Sequence, residues 1–128
     1  MSKAKGSRNE RELFHMFWEN GWACLRTAGS GSTSLPAPDL LVGNATRVLA
    51  IECKSGKGEY RYIDNTQVEE LKTFAQKFGA EAWVGARFDG KGWFFVKANE
   101  LTSSGKNFVV SKKEAFEKGL RFEKLITP

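Results

Sequence analysis

Apolar side chains recur at helical spacing near the start of the chain. They stand three and four positions apart, at Leu13, Phe14 and Phe17. Ser7 precedes them as a candidate N-cap, and Glu10 follows Ser7 by three positions, which is the spacing of a capping box. Gly21 follows the stripe and favours a helix end. The pattern therefore predicts a first helix over residues 7–20.

A second helical stripe lies in the middle of the chain. Its apolar positions are Val68, Leu71, Phe74, Ala75 and Phe78. Asp64 and Gln67 form a cap motif before the stripe, and Gly79 stands where a C-terminal glycine is expected. A Ser-x-x-Glu motif at residues 111–114 caps a short third helix that ends near Gly119.

Runs rich in strand-forming residues separate these helices. They cover residues 22–27, 39–42, 47–54, 81–88, 93–97 and, as a possible edge strand, 121–126. A Gly43-Asn44 turn joins the second and third runs into a hairpin, and residues 29–38 read as a loop rich in Ser, Gly and Pro. This order of elements predicts an α/β fold with a central mixed β-sheet flanked by helices.

The composition is that of a basic chain, and its length fits one domain, residues 1–128. The chain contains 20 Lys and Arg residues and 15 Asp and Glu residues, which gives a formal net charge of +5. Positive charge concentrates at Lys3, Lys5, Arg8 and Arg11 and again at Lys54, Lys57 and Arg61. This distribution favours a nucleic-acid partner, and the alternative is a solvated tail and a solvated loop.

Several classes of protein are excluded by what the chain contains. Cys24 and Cys53 form no CxxC pair, and His15 is the only histidine, which argues against zinc fingers, HExxH proteases and triads that need a further histidine. The longest apolar runs are far shorter than the roughly 20 residues of a membrane span. The N-terminus lacks the pattern of a secretory signal, so we expect an intracellular protein of the cytoplasm or nucleoid.

The spacing of two carboxylates and a lysine along the chain suggests a catalytic site. Pro38-Asp39 is followed, after twelve intervening residues, by Glu52-Cys53-Lys54. On a strand Glu52 and Lys54 share one face, Cys53 points to the other, and the hairpin brings Asp39 alongside Glu52. Two carboxylates and a cation suit Mg²⁺ bound against a phosphate, as phosphodiester hydrolysis requires. The simpler alternative is a surface ion pair.

Glu10 lies on the apolar stripe of the first predicted helix, where a charge is costly unless it has a partner. A metal ion shared with Asp39 and Glu52 would explain its position. The alternative is a first-turn residue that reaches back to Ser7.

Together these residues resemble the PD-(D/E)xK nuclease signature, and within that superfamily the archaeal-type Holliday junction resolvases. The resemblance is strongest over residues 6–97. It is carried by GSRNEREL at 6–13, Arg26, AGSGST at 28–33, PDLL at 38–41, IECKS at 51–55, Gln67 and FAQKFG at 74–79.

This resemblance implies a single nuclease domain with a restriction-endonuclease-like core. It implies a homodimeric, Mg²⁺-dependent endonuclease that resolves four-way DNA junctions by paired symmetric cuts, with Mn²⁺ as a substitute. Glu10, Asp39 and Glu52 would bind the metal with the Cys53 carbonyl, and Lys54 would assist the attacking water. The expected DNA contacts are Arg8, Arg11, Arg26, Ser30, Ser32, Lys57, Arg61 and Gln67.

Other interpretations stay open at this point. A nuclease of the same superfamily could act on duplexes, flaps or damaged DNA, and a junction-binding module could lack catalysis. Complete catalytic residues argue against an inactive site. The candidate dimer surface is the apolar run 93–96 with Phe108 and Phe116, and the alternative is that these aromatic side chains fill the monomer core. Other recombination proteins are possible partners.

Overall fold

A computed structural model describes residues 3–27 and 35–128 of the chain. The helices are α1 (Lys3–Glu19), α2 (Asn65–Phe78), α3 (Lys112–Lys118) and α4 (Phe122–Leu125). The strands are β1 (Ala23–Arg26), β2 (Leu40–Gly43), β3 (Val48–Lys54), β4 (Tyr60–Asp64), β5 (Glu81–Phe88), β6 (Gly92–Lys97), β7 (Thr102–Ser104) and β8 (Asn107–Ser111). No described helix is long and apolar enough to cross a membrane.

A five-stranded mixed sheet, in the order β1-β2-β3-β5-β6, forms the centre of the fold. The β2–β3 hairpin is antiparallel and sets Leu40 opposite Ile51, as the turn at Gly43-Asn44 predicted. β3 and β5 run parallel, and α2 lies in the connection between them. The expected mixed α/β architecture is confirmed.

The first helix begins earlier than predicted. α1 starts at Lys3, so Ser7 lies within the helix and does not cap it. Its hydroxyl instead accepts a hydrogen bond from Arg26 Nη2 at 3.1 Å. Lys and Ala before Ser7 are good helix formers, which explains the extension. The end is as predicted, because Gly21 adopts a φ of 86°.

Both ends of α2 follow their sequence signals. The Asp64 side chain accepts a hydrogen bond from the Thr66 amide at 2.7 Å. Gly79 adopts the left-handed conformation, and its amide donates to the Ala75 carbonyl at 2.9 Å. α3 is likewise capped by a capping box between Ser111 and Glu114.

Sequence patterns missed a second sheet. β4, β8 and β7 form an antiparallel three-stranded sheet in that order. Along β4 the side chains alternate, so Arg61 and Ile63 are buried while Tyr60 and Tyr62 are exposed. This sheet packs its inner face on the same core as α2.

The predicted edge strand at residues 121–126 is wrong, because this segment forms α4. Phe122 and Leu125 stand three positions apart, which suits one face of a helix, and both are buried. The Leu125 carbonyl accepts a hydrogen bond from Arg47 Nη1 at 2.7 Å, which fastens the helix to the central sheet.

Two apolar cores lie on opposite faces of the central sheet. One contains side chains of α1 and α4 together with Leu49 and Ile51, and the other contains side chains of α2 with Ala50 and Ile63. Residues 93–96 are all buried in these cores, which corrects their prediction as an association surface. Of that predicted surface Phe116 is exposed and Phe108 is half-buried.

Arg61 is a structural residue, which corrects its prediction as a DNA contact. Its side chain is 4% exposed, and its guanidinium lies 4.3 Å from the ring centroid of Phe88. All its hydrogen bonds run to backbone carbonyls, those of Arg87, Gly56, Lys57, Gly58 and Tyr60. Arg61 therefore fixes the loop between β3 and β4 from the inside.

We expect Arg61→Met to lower the free energy of unfolding by about 3 kcal/mol, because it leaves a cluster of carbonyls without donors. Urea denaturation measures this change. Arg121→Met is the matched control, since Arg121 is exposed, stacks on Phe94 at 4.4 Å and donates to the carbonyl of Lys91. Equal losses in the two variants would contradict the structural role of Arg61.

Candidate active site

Asp39 and Glu52 meet at one end of the central sheet. The β2–β3 register ends with Leu40 opposite Ile51, so Asp39 and Glu52 occupy the next positions of the two strands. Cys53 lies beyond the last paired residues of β2 and β3. Its amide donates a hydrogen bond of 2.7 Å to Asp39 Oδ2. The hairpin therefore places the two carboxylates as the spacing predicted.

Glu52 carries the largest electrostatic perturbation of the site. Burial, followed by the charge of Asp39, raises the pKa of Glu52 to about 8. Lys54 opposes this shift, while Glu10 and Glu70 add to it. The negative charges of several carboxylates thus converge on one half-buried side chain.

Asp39 is buried beside Glu52 in this cluster. Burial raises the pKa of Asp39, while the hydrogen bond from the Cys53 amide and the charges of Lys54 and Arg26 oppose that shift.

α1 contributes Glu10 to the same cluster. Burial and the charge of Asp39 raise the pKa of Glu10, while Arg26 opposes the shift. Arg26 Nη2 lies 3.5 Å from Glu10 Oε1 and donates to the Ser7 hydroxyl, so Arg26 bridges two turns of α1. Its Nε is buried and has no hydrogen-bond partner among the described residues.

Lys54 and Cys53 point to opposite faces of β3, as predicted. The charge of Lys54 acts on both Asp39 and Glu52, which places the ammonium beside the carboxylates. The Cys53 side chain packs against the core below α1, and burial raises the pKa of its thiol well above the ordinary value. The thiol is therefore a packing group of the core.

One acidic residue near the site was missed by the sequence analysis. Glu70 of α2 raises the pKa of Glu52 and thus faces the cluster. It follows Gln67, a predicted site residue, by three positions, which places both on one side of the helix. This spacing was the available signal. Gln67 itself is half-buried in the first turn of α2.

The donor set suits a hard cation such as Mg²⁺. Within residues 3–27 and 35–128, no three His, Cys, Asp or Glu side chains are grouped so that they could hold a metal ion. Mg²⁺ in proteins is commonly bound by one or two carboxylates, completed by water and substrate phosphates. The crowded, half-buried carboxylates Asp39 and Glu52 match that incomplete kind of site, and Glu10 and the Cys53 carbonyl stay predicted ligands.

The predicted basic DNA contacts that are exposed lie on two elements. Arg8 and Arg11 are exposed on α1, and Lys57 is exposed in the loop after β3. Arg26 is half-buried beside Glu10. The predicted contacts Ser30 and Ser32, and most of the predicted 29–38 loop, lie outside the described residues.

Comparison with known proteins identifies close relatives. The model of the family described as archaeal Holliday junction resolvase (Hjc) matches residues 1–128. The crossover junction endodeoxyribonuclease Hjc of Archaeoglobus fulgidus is 42% identical over 110 residues, which make up 86% of this chain and 81% of that protein. The protein of the same name from Sulfolobus acidocaldarius is 33% identical over 127 residues, covering 98% and 88% of the two chains.

Solved structures agree with this relation. The structure of Archaeoglobus fulgidus Hjc, a Holliday junction resolvase from an archaeal hyperthermophile, superposes with a TM-score of 0.87 at 37% identity, covering 94% of this chain and 98% of that one. A bacterial homing endonuclease, I-Ssp6803I, superposes with a TM-score of 0.60 at 16% identity, covering 93% and 86% of the chains, and shares the fold alone. The expected restriction-endonuclease-like fold is confirmed.

The perturbed carboxylates predict an unusual pH dependence of stability in metal-free protein. The pKa of Glu52, about 8 in the folded chain, exceeds its unfolded value of about 4.3, so the folded state binds the proton more tightly. The resulting stabilisation is complete below the unfolded pKa and is lost as the pH rises through about 8.

We expect the free energy of unfolding to fall by about 1 kcal/mol or more between about pH 5 and about pH 9, measured by denaturation in EDTA. Glu52→Gln should flatten this dependence, because the amide stays neutral. Glu100→Gln, at an exposed position outside the cluster, should keep it. Identical profiles for all three proteins would show that Glu52 carries no such shift.

Proposed function

The chain belongs to the archaeal Holliday junction resolvase family, and we propose that it uses Mg²⁺ at Asp39 and Glu52 to cut four-way DNA junctions symmetrically as a homodimer. Its activity is that of a crossover junction endodeoxyribonuclease, which hydrolyses phosphodiester bonds. One observation supports the assignment of the site most strongly. Two carboxylates and the ammonium of Lys54 converge at the end of β3, where burial has weakened screening by water.

Each side chain has a distinct part in the proposed reaction. Asp39 and Glu52 would hold the cation, with Glu10 as a further acidic partner and Mn²⁺ as an alternative ion. Bound there, Mg²⁺ would neutralise charge on the phosphate and make a water more acidic. Lys54 is on the face of Glu52, where its ammonium can orient the attacking water and stabilise charge that develops on the phosphate oxygens.

Exposed basic residues suit recognition of the DNA backbone. Arg8 and Arg11 of α1 and Lys57 after β3 are accessible, and Arg26 lies beside Glu10. Contacts from such residues to phosphates carry no sequence information and weaken with salt. This suits an enzyme that acts within the cell on DNA of a particular shape.

An exposed apolar patch supports the homodimer. We define the α2 patch as Pro36, Phe74 and Phe78. Phe78 is 54% exposed, and the rings of Phe74 and Phe78 stack with centroids 5.4 Å apart. A cavity of about 310 Å³ opens between Pro36 and this face of α2. A second copy packed here would bury these side chains, and a two-fold dimer matches the approximate symmetry of a junction.

Removing one carboxylate tests the active site. We expect Asp39→Asn to abolish Mg²⁺-dependent cleavage of an immobile four-way junction while junction binding at low salt survives, because the amide is a weaker ligand. Gel assays measure both. Asp89→Asn, the same change at an exposed carboxylate, should cleave normally. Unchanged cleavage by Asp39→Asn would refute the assigned role of Asp39.

A competition assay separates the proposed substrate from other DNA structures. Wild-type protein with Mg²⁺ should cut the four-way junction while an equal amount of linear duplex or flap DNA stays intact. Equal cutting of all three would favour a general nuclease of this fold. Binding without cutting, at any tested divalent cation, would favour the module without catalysis.

Charge placed on the α2 patch tests the dimer. We expect Phe78→Glu to shift sedimentation of the free protein from dimer to monomer and to uncouple the two junction cuts, because two glutamates would then face each other. Leu25→Glu is the matched control, since Leu25 is an exposed apolar residue of edge strand β1. A Phe78→Glu protein that sediments as a dimer would place the interface elsewhere.

A further inference from the structure

A pair of exposed tyrosines lies on the outer face of the second sheet. Tyr60 and Tyr62 are 54% and 56% exposed, and their rings stack with centroids 6.1 Å apart and planes 28° apart. Neither phenol hydroxyl has a hydrogen-bond partner within residues 3–27 and 35–128. The pair therefore presents flat aromatic surface on which a ligand can stack.

A cleft lies directly beside this pair. Its volume is about 630 Å³, within the range of small-molecule binding sites. Its walls are formed by Glu59, Tyr60, Ser111, Lys112, Lys113, Glu114 and Phe116. Phe116 packs against Phe94 with ring centroids 4.9 Å apart, which holds one wall in place. Aromatic walls next to lysines suit a ligand that has a flat ring and a negative charge at one end.

The strand that carries the pair is held rigidly. Arg61, between the two tyrosines, makes its hydrogen bonds to the carbonyls of the preceding loop and of Arg87, and Ile63 is fully buried. Pairing of Tyr60 with Ser111 and of Tyr62 with Val109 fixes the strand from the other side. The aromatic surface is therefore preorganised, which lowers the entropy lost on binding.

β4 is connected to the active site at both of its ends. The loop 55–59, which contains Lys57, joins it to Lys54. At its other end Asp64 caps α2, whose Glu70 acts on Glu52. Lys57, Lys112 and Lys113 outnumber the acidic residues Glu59 and Glu114 around the tyrosines, and Glu114 is paired with Lys118 at 3.4 Å. This continuity and charge favour DNA over an apolar protein partner as the occupant.

We propose that Tyr60 and Tyr62 form a stacking platform for an unpaired nucleobase next to the cut site. The inference rests on the proposed function, because it adds a contact to DNA held at that same site. Stacking on aromatic side chains accepts every base, since each has a π-face. The platform would therefore recognise DNA whose stacking is interrupted, as at a branch point, without reading sequence.

Binding to a bulged duplex tests the platform separately from junction cleavage. The probe is a linear duplex with one unpaired 2-aminopurine, and a fully paired duplex of the same length is its reference. Affinities are measured in EDTA, and 2-aminopurine fluorescence reports stacking. We expect the wild type to prefer the bulged duplex by about fivefold or more and to quench its fluorescence.

The variants distinguish stacking from other effects. Tyr60→Leu/Tyr62→Leu should lose the preference and the quenching but keep its affinity for paired duplex and its salt dependence, because no phosphate contact is removed. Tyr60→Phe/Tyr62→Phe should retain both. Trp18→Leu, at a similarly exposed aromatic residue of α1, should also bind as the wild type does. Thermal unfolding establishes that each protein is folded.

Two further results would contradict the platform, and a different one would contradict the proposed function. Preference and quenching that survive in the leucine variant would overturn the platform, as would an equal loss of affinity for both duplexes. Wild-type protein that fails to cut a junction in Mg²⁺ would instead contradict the proposed function, while the bulge assay would still decide the fate of the platform.

Discussion

The site depends on two carboxylates that repel each other and cannot move apart. Asp39 directly precedes β2 and Glu52 lies near the end of β3, and buried side chains on both faces set the register of these two strands, so moving their backbones apart would require breaking the sheet. Asp39 is also held by the Cys53 amide. Burial, followed by the charge of Asp39, raises the pKa of Glu52 to about 8. A cation that enters is stabilised by the same proximity that penalises the second negative charge, which links this pair directly to metal-dependent chemistry.

The surrounding elements keep that pair in place and leave one side open. α1 supplies Glu10, whose partner Arg26 ends β1, so the helix and the sheet edge are coupled through charge. On the other side Arg61 donates hydrogen bonds to backbone carbonyls of the segment after Lys54 and, through Nε, to the carbonyl of Arg87. Desolvating an arginine is costly, and it is tolerated here because so many hydrogen bonds replace the lost water. The result is a fixed path for the chain that leaves the catalytic strand.

Sequence patterns predicted the parts of this structure that depend on local signals. The hairpin, α2 with its caps, and the shared face of Glu52 and Lys54 follow from turn residues, capping residues and strand periodicity. The second sheet was missed because its strands are short and β4 pairs with β8 across a long separation in sequence. Arg61 was misassigned because charge alone does not show whether a guanidinium meets water or carbonyls. Ser7 does not cap α1, because good helix formers precede it. Residues 121–126 are too few for the period of a helix to be distinguished from that of a strand.

The missed elements bear on how the enzyme selects its substrate. The proposed phosphate contacts of Arg8, Arg11 and Lys57 would be available on any duplex, so they would supply affinity but no discrimination between a junction and linear DNA. Discrimination has to come from geometry. The proposed dimer would set the distance between two cut sites, and the proposed aromatic platform beside each site would favour a strand whose bases are no longer stacked. Both features depend on surfaces that tertiary packing creates, the α2 patch and the outer face of β4. The candidate catalytic residues Asp39, Glu52 and Lys54 can therefore be proposed from sequence motifs, whereas the proposed selectivity for branched DNA requires the folded chain.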